Sequence, residues 1–214
     1  MLTSIMLKRK GVGQVETALF YWFSWMVWIA VVFFYEDEYW RTRFATGLLI
    51  FLLLSERYLS LTEMTLSWAL VFIWTSALLF LLKIKATLWQ MSYLVTFGIM
   101  LAGIHLFLFI NPVWLIFPAR TIVMILFLML LTVMTRHPWQ RIMMYVFVAS
   151  TGNLLSGYIL TSYGLIHSIG HISDLLFLIK GVFLSLVLLA LQHLKQKIME
   201  AAYKIKWRTE RFGQ

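Results

Sequence analysis

Residues 88–109 read LWQMSYLVTFGIMLAGIHLFLF and carry no acidic or basic side chain apart from His105. A helix rises about 1.5 Å per residue, so a run of this length measures about 33 Å and matches the roughly 30 Å hydrocarbon core of a bilayer. The same ruler places further helices at 17–34, 43–61, 64–82, 118–135, 142–163 and 173–191. Backbone polar groups left open in lipid would be unsatisfied, so each crossing must be a closed helix. The expected fold is an all-α, polytopic transmembrane helix bundle of about seven spans. It is flanked by an N-terminal segment, 1–16, and a basic tail, 192–214.

Two of these helices have weak boundaries. The second is strongly apolar only from Phe44 to Leu54, and extending it to Leu61 admits Glu56 and Arg57. The fifth follows Asn111-Pro112, so Val113 to Phe117 reads as an interfacial turn with Pro118 as the first helical residue, where a missing N–H costs nothing.

Composition points the same way. Hydrophobic residues make up 62% of the 214 and charged residues 13%, and mean hydropathy is +0.85. A soluble domain could not cover its surface with so few charges. The chain has no cysteine, which excludes disulfides, thiolate metal ligands and cysteine nucleophiles together. The net charge of +9 does not form a nucleic-acid patch, because the basic residues lie between and after apolar runs. Lys8, Arg9 and Lys10 before an apolar stretch superficially suggest a signal peptide. The stretch ends instead in Glu36-Asp37-Glu38 with no small-residue cleavage site, and reads as a retained span.

Orientation follows from the distribution of Lys and Arg. The N-terminal segment and the second, fourth and sixth loops hold five: Lys8, Arg9, Lys10, Arg57 and Arg120. The other three loops and the tail hold twelve, including Arg41, Arg43, Lys83, Arg141, Lys195, Lys197, Lys204, Lys206, Arg208 and Arg211. The expectation is a multi-pass cell-membrane protein with its C-terminus in the cytoplasm and its N-terminus outside. The basic run at 8–10 argues against this arrangement, and six spans with both ends inside is the competing topology. Within the tail, Leu191, Leu194, Ile198, Ala201 and Ile205 recur at helical spacing with lysines between them. That pattern predicts an amphipathic extension of the last helix able to meet anionic lipid headgroups, a membrane-protein partner or a second copy of the chain. An ordinary stop-transfer flank would look similar.

Ionisable groups inside spans are the usual functional candidates. Glu56, Arg57, His105, Arg120 and Asp174 fall in the outer part of their helices, with Asn153 and Lys180 near mid-depth. They would suit a polar vestibule open to the outside, or could simply snorkel to the headgroups. Gly98, Ala102 and His105 share one helical face, and Ala149, Gly152, Asn153, Ser156 and Gly157 form a similar stripe, as close helix packing requires. His167, His171 and Asp174 have metal-ligand spacing only if that segment is helical, which Gly164 and Gly170 oppose. No metal and no cofactor is expected. Lys180 invites comparison with a retinal Schiff base, but the acids that chemistry needs are not at the matching positions. No P-loop, GxSxG or paired-carboxylate signature is present. An enzyme acting on lipid would have only His105, Asp174 and Ser156 to draw on.

Two stretches, Phe20-Tyr-Trp-Phe-Ser-Trp-Met-Val-Trp-Ile29 and His105-Leu-Phe-Leu-Phe-Ile-Asn-Pro-Val-Trp114, resemble the YphA-like membrane proteins of endospore-forming bacilli. The resemblance implies a small polytopic cell-membrane protein with a role in spore envelope assembly, and it supplies no catalytic residues. The longer, basic N-terminus is where this chain departs from that pattern. The expected function is therefore a non-enzymatic factor in cell or spore envelope assembly, with the tail as its contact surface. The alternative is a small transporter or channel using the outer polar groups.

Overall fold

The computed structural model describes residues 2–35, 37–61, 64–84, 87–111, 119–135, 137–165 and 168–212, and within those stretches the side chains of residues 13–60 and 64–200. Seven helices account for most of them: α1 (Leu2–Phe34), α2 (Glu38–Leu54), α3 (Trp68–Lys83), α4 (Leu88–Ile110), α5 (Ala119–Met134), α6 (Pro138–Ser162) and α7 (Ile172–Phe212). Three short strands, β1 (Tyr58–Leu61), β2 (Met64–Ser67) and β3 (Ser168–Ile169), form a small sheet in the order β1-β2-β3.

Local chemistry explains where the helices begin and end. Asp37 caps α2 by accepting from the backbone N–H of Tyr39 at 3.0 Å and of Trp40 at 3.3 Å. Thr87 and Gln90 make a reciprocal capping box at the start of α4, and Pro138 opens α6. Helix α6 ends on Gly164 at φ +75°. There the Leu165 N–H reaches back to the Leu160 carbonyl and the Gly164 N–H to Thr161, the paired bonds of a Schellman ending.

Several expected boundaries are corrected. The helix expected over 43–61 stops at Leu54, and the chain turns through Ser55 to Arg57 into β1. The helix expected from residue 64 begins at Trp68, because Met64–Ser67 pair antiparallel with β1. A polar Ser-Glu-Arg step followed by β-compatible residues favours a hairpin at the end of the bundle over two more helical turns. Helix α1 starts at Leu2 instead of near 17, whereas α7 runs unbroken to Phe212, in line with the expected helical extension of the last span into the tail. Pro118 and the turn expected over Val113–Phe117 lie outside the described residues.

Four helical stretches are long and apolar enough to cross a membrane: Gly13–Phe34, Leu88–Ile110, Pro138–Ser162 and Ile172–Glu200. Helices α2, α3 and α5 have 17, 16 and 16 residues, about 24–26 Å of rise. Helix α6 is the hub. It packs on α3, α4, α5 and α7, while α1 packs chiefly on α7 and α2 chiefly on α1 and α3.

The tightest packing occurs at small residues. A Cβ added to Gly98 would meet Thr151 at 2.9 Å, and one added to Gly152 would meet Leu101 at 2.8 Å, which locks α4 to α6. Gly181 of α7 receives the Tyr145 ring of α6, where an added Cβ would lie 2.2 Å from ring atoms. Tyr145 is fully buried, and its hydroxyl donates to the Phe177 carbonyl at 3.1 Å.

This notch yields a direct prediction. Gly181→Val forces the Tyr145 ring out of place and should destabilise the purified protein by about 1–3 kcal/mol in thermal or detergent-driven unfolding. Tyr145→Phe, which loses only the interhelical hydrogen bond, should cost about 0.6–1 kcal/mol. Equal losses from the two variants would show that the close contact is not what joins α6 to α7.

Candidate functional site

Polar residues singled out by the sequence have identifiable local neighbours. One set lies at the sheet end of the bundle. Glu56, exposed in the turn before β1, accepts a hydrogen bond from the Tyr21 hydroxyl of α1 at 2.7 Å. Tyr58 of β1 stands near both Glu56 and Asp174, the latter in the first turn of α7. Burial raises the Tyr58 phenol above its ordinary pKa, and the two carboxylates raise it further. Neither tyrosine was singled out by the sequence reading, because a Tyr in an apolar run carries no charge signal.

His105, Asn153 and Arg120 make a second set. His105 of α4 sits beside Asn153 of α6 and within the field of Arg120, with its ring edge-on to Phe177 at 5.5 Å. Asn153 is buried, and its Nδ2 has no hydrogen-bond partner. Arg120 is exposed at the start of α5. Lys180 has its Nζ 5.8 Å from the Phe23 ring centroid of α1. Among the described residues no three His, Asp or Glu side chains gather as metal ligands. His167 lies outside them, and Gly164 and Gly170, at φ +75° and +77°, end the helical continuity that its proposed spacing with His171 and Asp174 would need.

At the opposite end, four elements build an aromatic and cationic rim. Tyr35 follows α1, Trp40 and Phe44 lie on α2, Phe80 and Lys83 on α3, and Trp139 on α6. The Tyr35 and Trp139 rings are 4.4 Å apart, and Phe44 stacks on Trp139 at 5.9 Å with an interplanar angle of 11°. The Lys83 ammonium stands 4.6 Å from the Trp40 ring, and the Arg43 guanidinium 4.0 Å from the Tyr39 ring. Among the described residues the one ion pair at this end is Arg41 with Glu38, at 3.7 Å. Arg43 and Lys83 therefore have ring partners and, among the described residues, no carboxylate within salt-bridge distance. This rim was legible in principle, since Trp and Tyr beside Lys and Arg at helix ends mark a headgroup boundary.

Beneath the rim lies a cavity of about 650 Å³ between α2 and the rest of the bundle. Its far wall is Ile142 and Val146 of α6 with Ile179 and Val182 of α7. On the tail, Lys195 and Lys197 are exposed along α7 with Leu191, Leu194 and Ile198. The side chains of Lys204, Lys206, Arg208 and Arg211 lie outside those described.

Asn153→Leu tests whether the buried amide holds anything. The variant removes an unpaired Nδ2 together with the side-chain hydrogen bond between Asn153 and His105, which leaves the buried imidazole without that partner, so it should lose about 1–3 kcal/mol of stability. A variant as stable as its parent would mean that the bond to His105 contributes nothing to the fold.

Comparison with known proteins adds one family and no individual relative. A family model described as "YphA-like integral membrane protein" matches residues 16–211. No curated protein and no solved structure matches. The match covers nearly the whole chain, so the chain belongs to the YphA-like integral membrane protein family.

Proposed function

We propose that this YphA-like integral membrane protein crosses the bilayer seven times and works as a non-enzymatic factor in assembling the cell or spore envelope. In this reading it acts from its cytoplasmic face, through the rim and the α7 extension. The observation that carries the reading is the contrast between the two ends of the bundle. One end has a sheet across the α2–α3 and α6–α7 connections, with the Glu56 and Asp174 carboxylates beside it. The other carries Trp40, Trp139, Arg43 and Lys83, and α7 leaves from it with Lys195 and Lys197 exposed.

Cations with aromatic anchors suit the cytoplasmic boundary, where anionic headgroups lie. Helices of 16 or 17 residues fall at the short limit for a span and are accommodated by local thinning of the bilayer. The continuous α7 supports a projecting arm more than a helix lying flat, because no break lets it turn onto the surface. Its apolar stripe of Leu191, Leu194 and Ile198 between lysines suits a helical partner or a second copy.

The alternative, a transporter or channel with an outward-facing vestibule, would need its polar groups to line one path. The aromatic neighbour of Lys180, whose Nζ lies 5.8 Å from the Phe23 ring centroid, weighs against it.

Single cysteines in this cysteine-free chain test the orientation. Cysteine at Ser60 or Ser162 should react with a membrane-impermeant thiol reagent in intact cells, whereas cysteine at Thr87 or Gln196 should react only after lysis. The reverse pattern would overturn the orientation. Mixed labelling within either pair would overturn the seven-span count. Deleting residues 195–214 should abolish the cellular role while the protein still accumulates in the membrane.

A further inference from the structure

The cavity behind α2 has no part in the function proposed above. We infer that it holds one acyl chain of an anionic phospholipid, taken sideways from the bilayer, with the phosphate held at the rim by Arg43 and Lys83.

Size and lining come first. Packed interiors contain few voids larger than a water molecule, whereas ligand sites run to roughly 300–1,000 Å³. A cavity of about 650 Å³ belongs to the second class. Its walls are overwhelmingly apolar, with Phe51 and Val27 at the α1 and α2 side and Ile73 on α3. That lining suits hydrocarbon and offers nothing to a polar metabolite.

Access is lateral. Thr42, Thr46 and Ile50 lie at i, i+4 and i+8 on α2, and Ser76, Leu79 and Lys83 at i, i+3 and i+7 on α3. All six line the cavity and all six are exposed, so the slot between the two helices opens on the perimeter of the bundle. The hydroxyls in this slot make no demand on water. Thr42 donates to the Glu38 carbonyl, Thr46 to that of Thr42 and Ser76 to that of Phe72. An acyl chain can therefore pass without breaking hydrogen bonds.

The headgroup assignment rests on charge. Arg43 and Lys83 both line the cavity at its rim end, and each rests on an aromatic ring without a carboxylate among the described residues. Two cations held a few ångströms above rings, at the open end of an acyl-sized space, fit one phosphodiester. Gly47 supplies a means of blocking the site. It lines the cavity, and a Cβ built there meets nothing within 4 Å, so a large side chain can enter the space without displacing a neighbour.

The test is native mass spectrometry of the detergent-purified full chain, titrated with phosphatidylglycerol or with phosphatidylcholine bearing the same acyl chains. One phosphatidylglycerol should be retained, with occupancy on the order of tenfold above phosphatidylcholine. Gly47→Phe should abolish retention of both lipids. The Arg43→Ala/Lys83→Ala double variant should keep chain binding and lose the preference. Wild-type occupancy in Gly47→Phe, or equal retention of the two lipids by the parent, would overturn the assignment. Should Gly47→Phe fail to fold, a phosphatidylglycerol with a photoreactive acyl chain decides on the parent protein. Crosslinks within residues 42–51 and 72–83 support the site, and crosslinks confined to other helices refute it. Lipid binding here does not depend on which face is cytoplasmic, so inverted cysteine labelling would leave this result standing.

Discussion

Close approach of helices at small side chains is what holds this bundle together. Lipid tails are as apolar as leucine, so hiding an apolar helix face inside the protein gains little, and association depends on packing and on interhelical hydrogen bonds. Helix α6 illustrates the rule. It is the least apolar of the four long helices and the most buried. It earns its central place with Ala149, Gly152, Asn153, Ser156 and Gly157, which let Leu101 and Ile169 come within contact of its backbone. Hydroxyls of this helix are turned onto its own backbone, Ser150 to Val146 and Thr161 to Gly157, so these small side chains carry no unmet hydrogen bond into the interface. Trp74 of α3 adds a bond to Thr151 across the same interface at 3.0 Å.

Fixing α6 constrains both ends of the molecule. At the sheet end, Ile169 of β3 sits against Gly157 and pairs with Leu66 of β2, so the α6–α7 connection is joined to the α2–α3 hairpin. Gly170, at φ +77°, packs against Ser67 and Leu70 and completes that join in a conformation L side chains rarely adopt. At the rim end, Trp139 in the first turn of α6 is the surface on which Tyr35 and Phe44 gather. The rim is thus an extension of the hub toward the membrane boundary.

The helical class and the existence of seven helices were readable because long uncharged runs allow no other structure in lipid. The fourth helix was legible almost to the residue, since Thr87 and Asn111 bound a run with no charge except His105. The hairpin was not legible: Leu59, Leu61, Met64 and Leu66 suit an apolar helix as well as a strand, and periodicity does not separate the two in runs this short. Gly164 and Gly170 mark breaks in helical continuity from sequence alone, but the packing of Gly170 on Ser67 and Leu70 is a tertiary fact. The small-residue stripes announced close packing without naming partners, so Gly98 against Thr151 and Gly181 against Tyr145 needed coordinates. For the site, ranking residues by charge selected Glu56, His105, Asp174 and Lys180. It passed over the rings that surround Arg43 and Lys83, because a cation resting on an aromatic leaves no mark in a charge count.

Helix α2 packs chiefly on α1 and α3 and meets α6 through a ring stack, and this follows from its composition. Its inward face offers Phe44, Leu48 and Phe51, bulky side chains, of which Phe44 stacks on Trp139 of α6. The cavity is the geometric remainder of that arrangement: a bundle closed by small residues on one side and propped open by large ones on the other. Residues that would close it by bringing α2 inward would have to replace aromatic rings that also build the rim. Rim and cavity are therefore one structural choice, in which the rings that hold the cations at the membrane boundary also keep an apolar space open behind them.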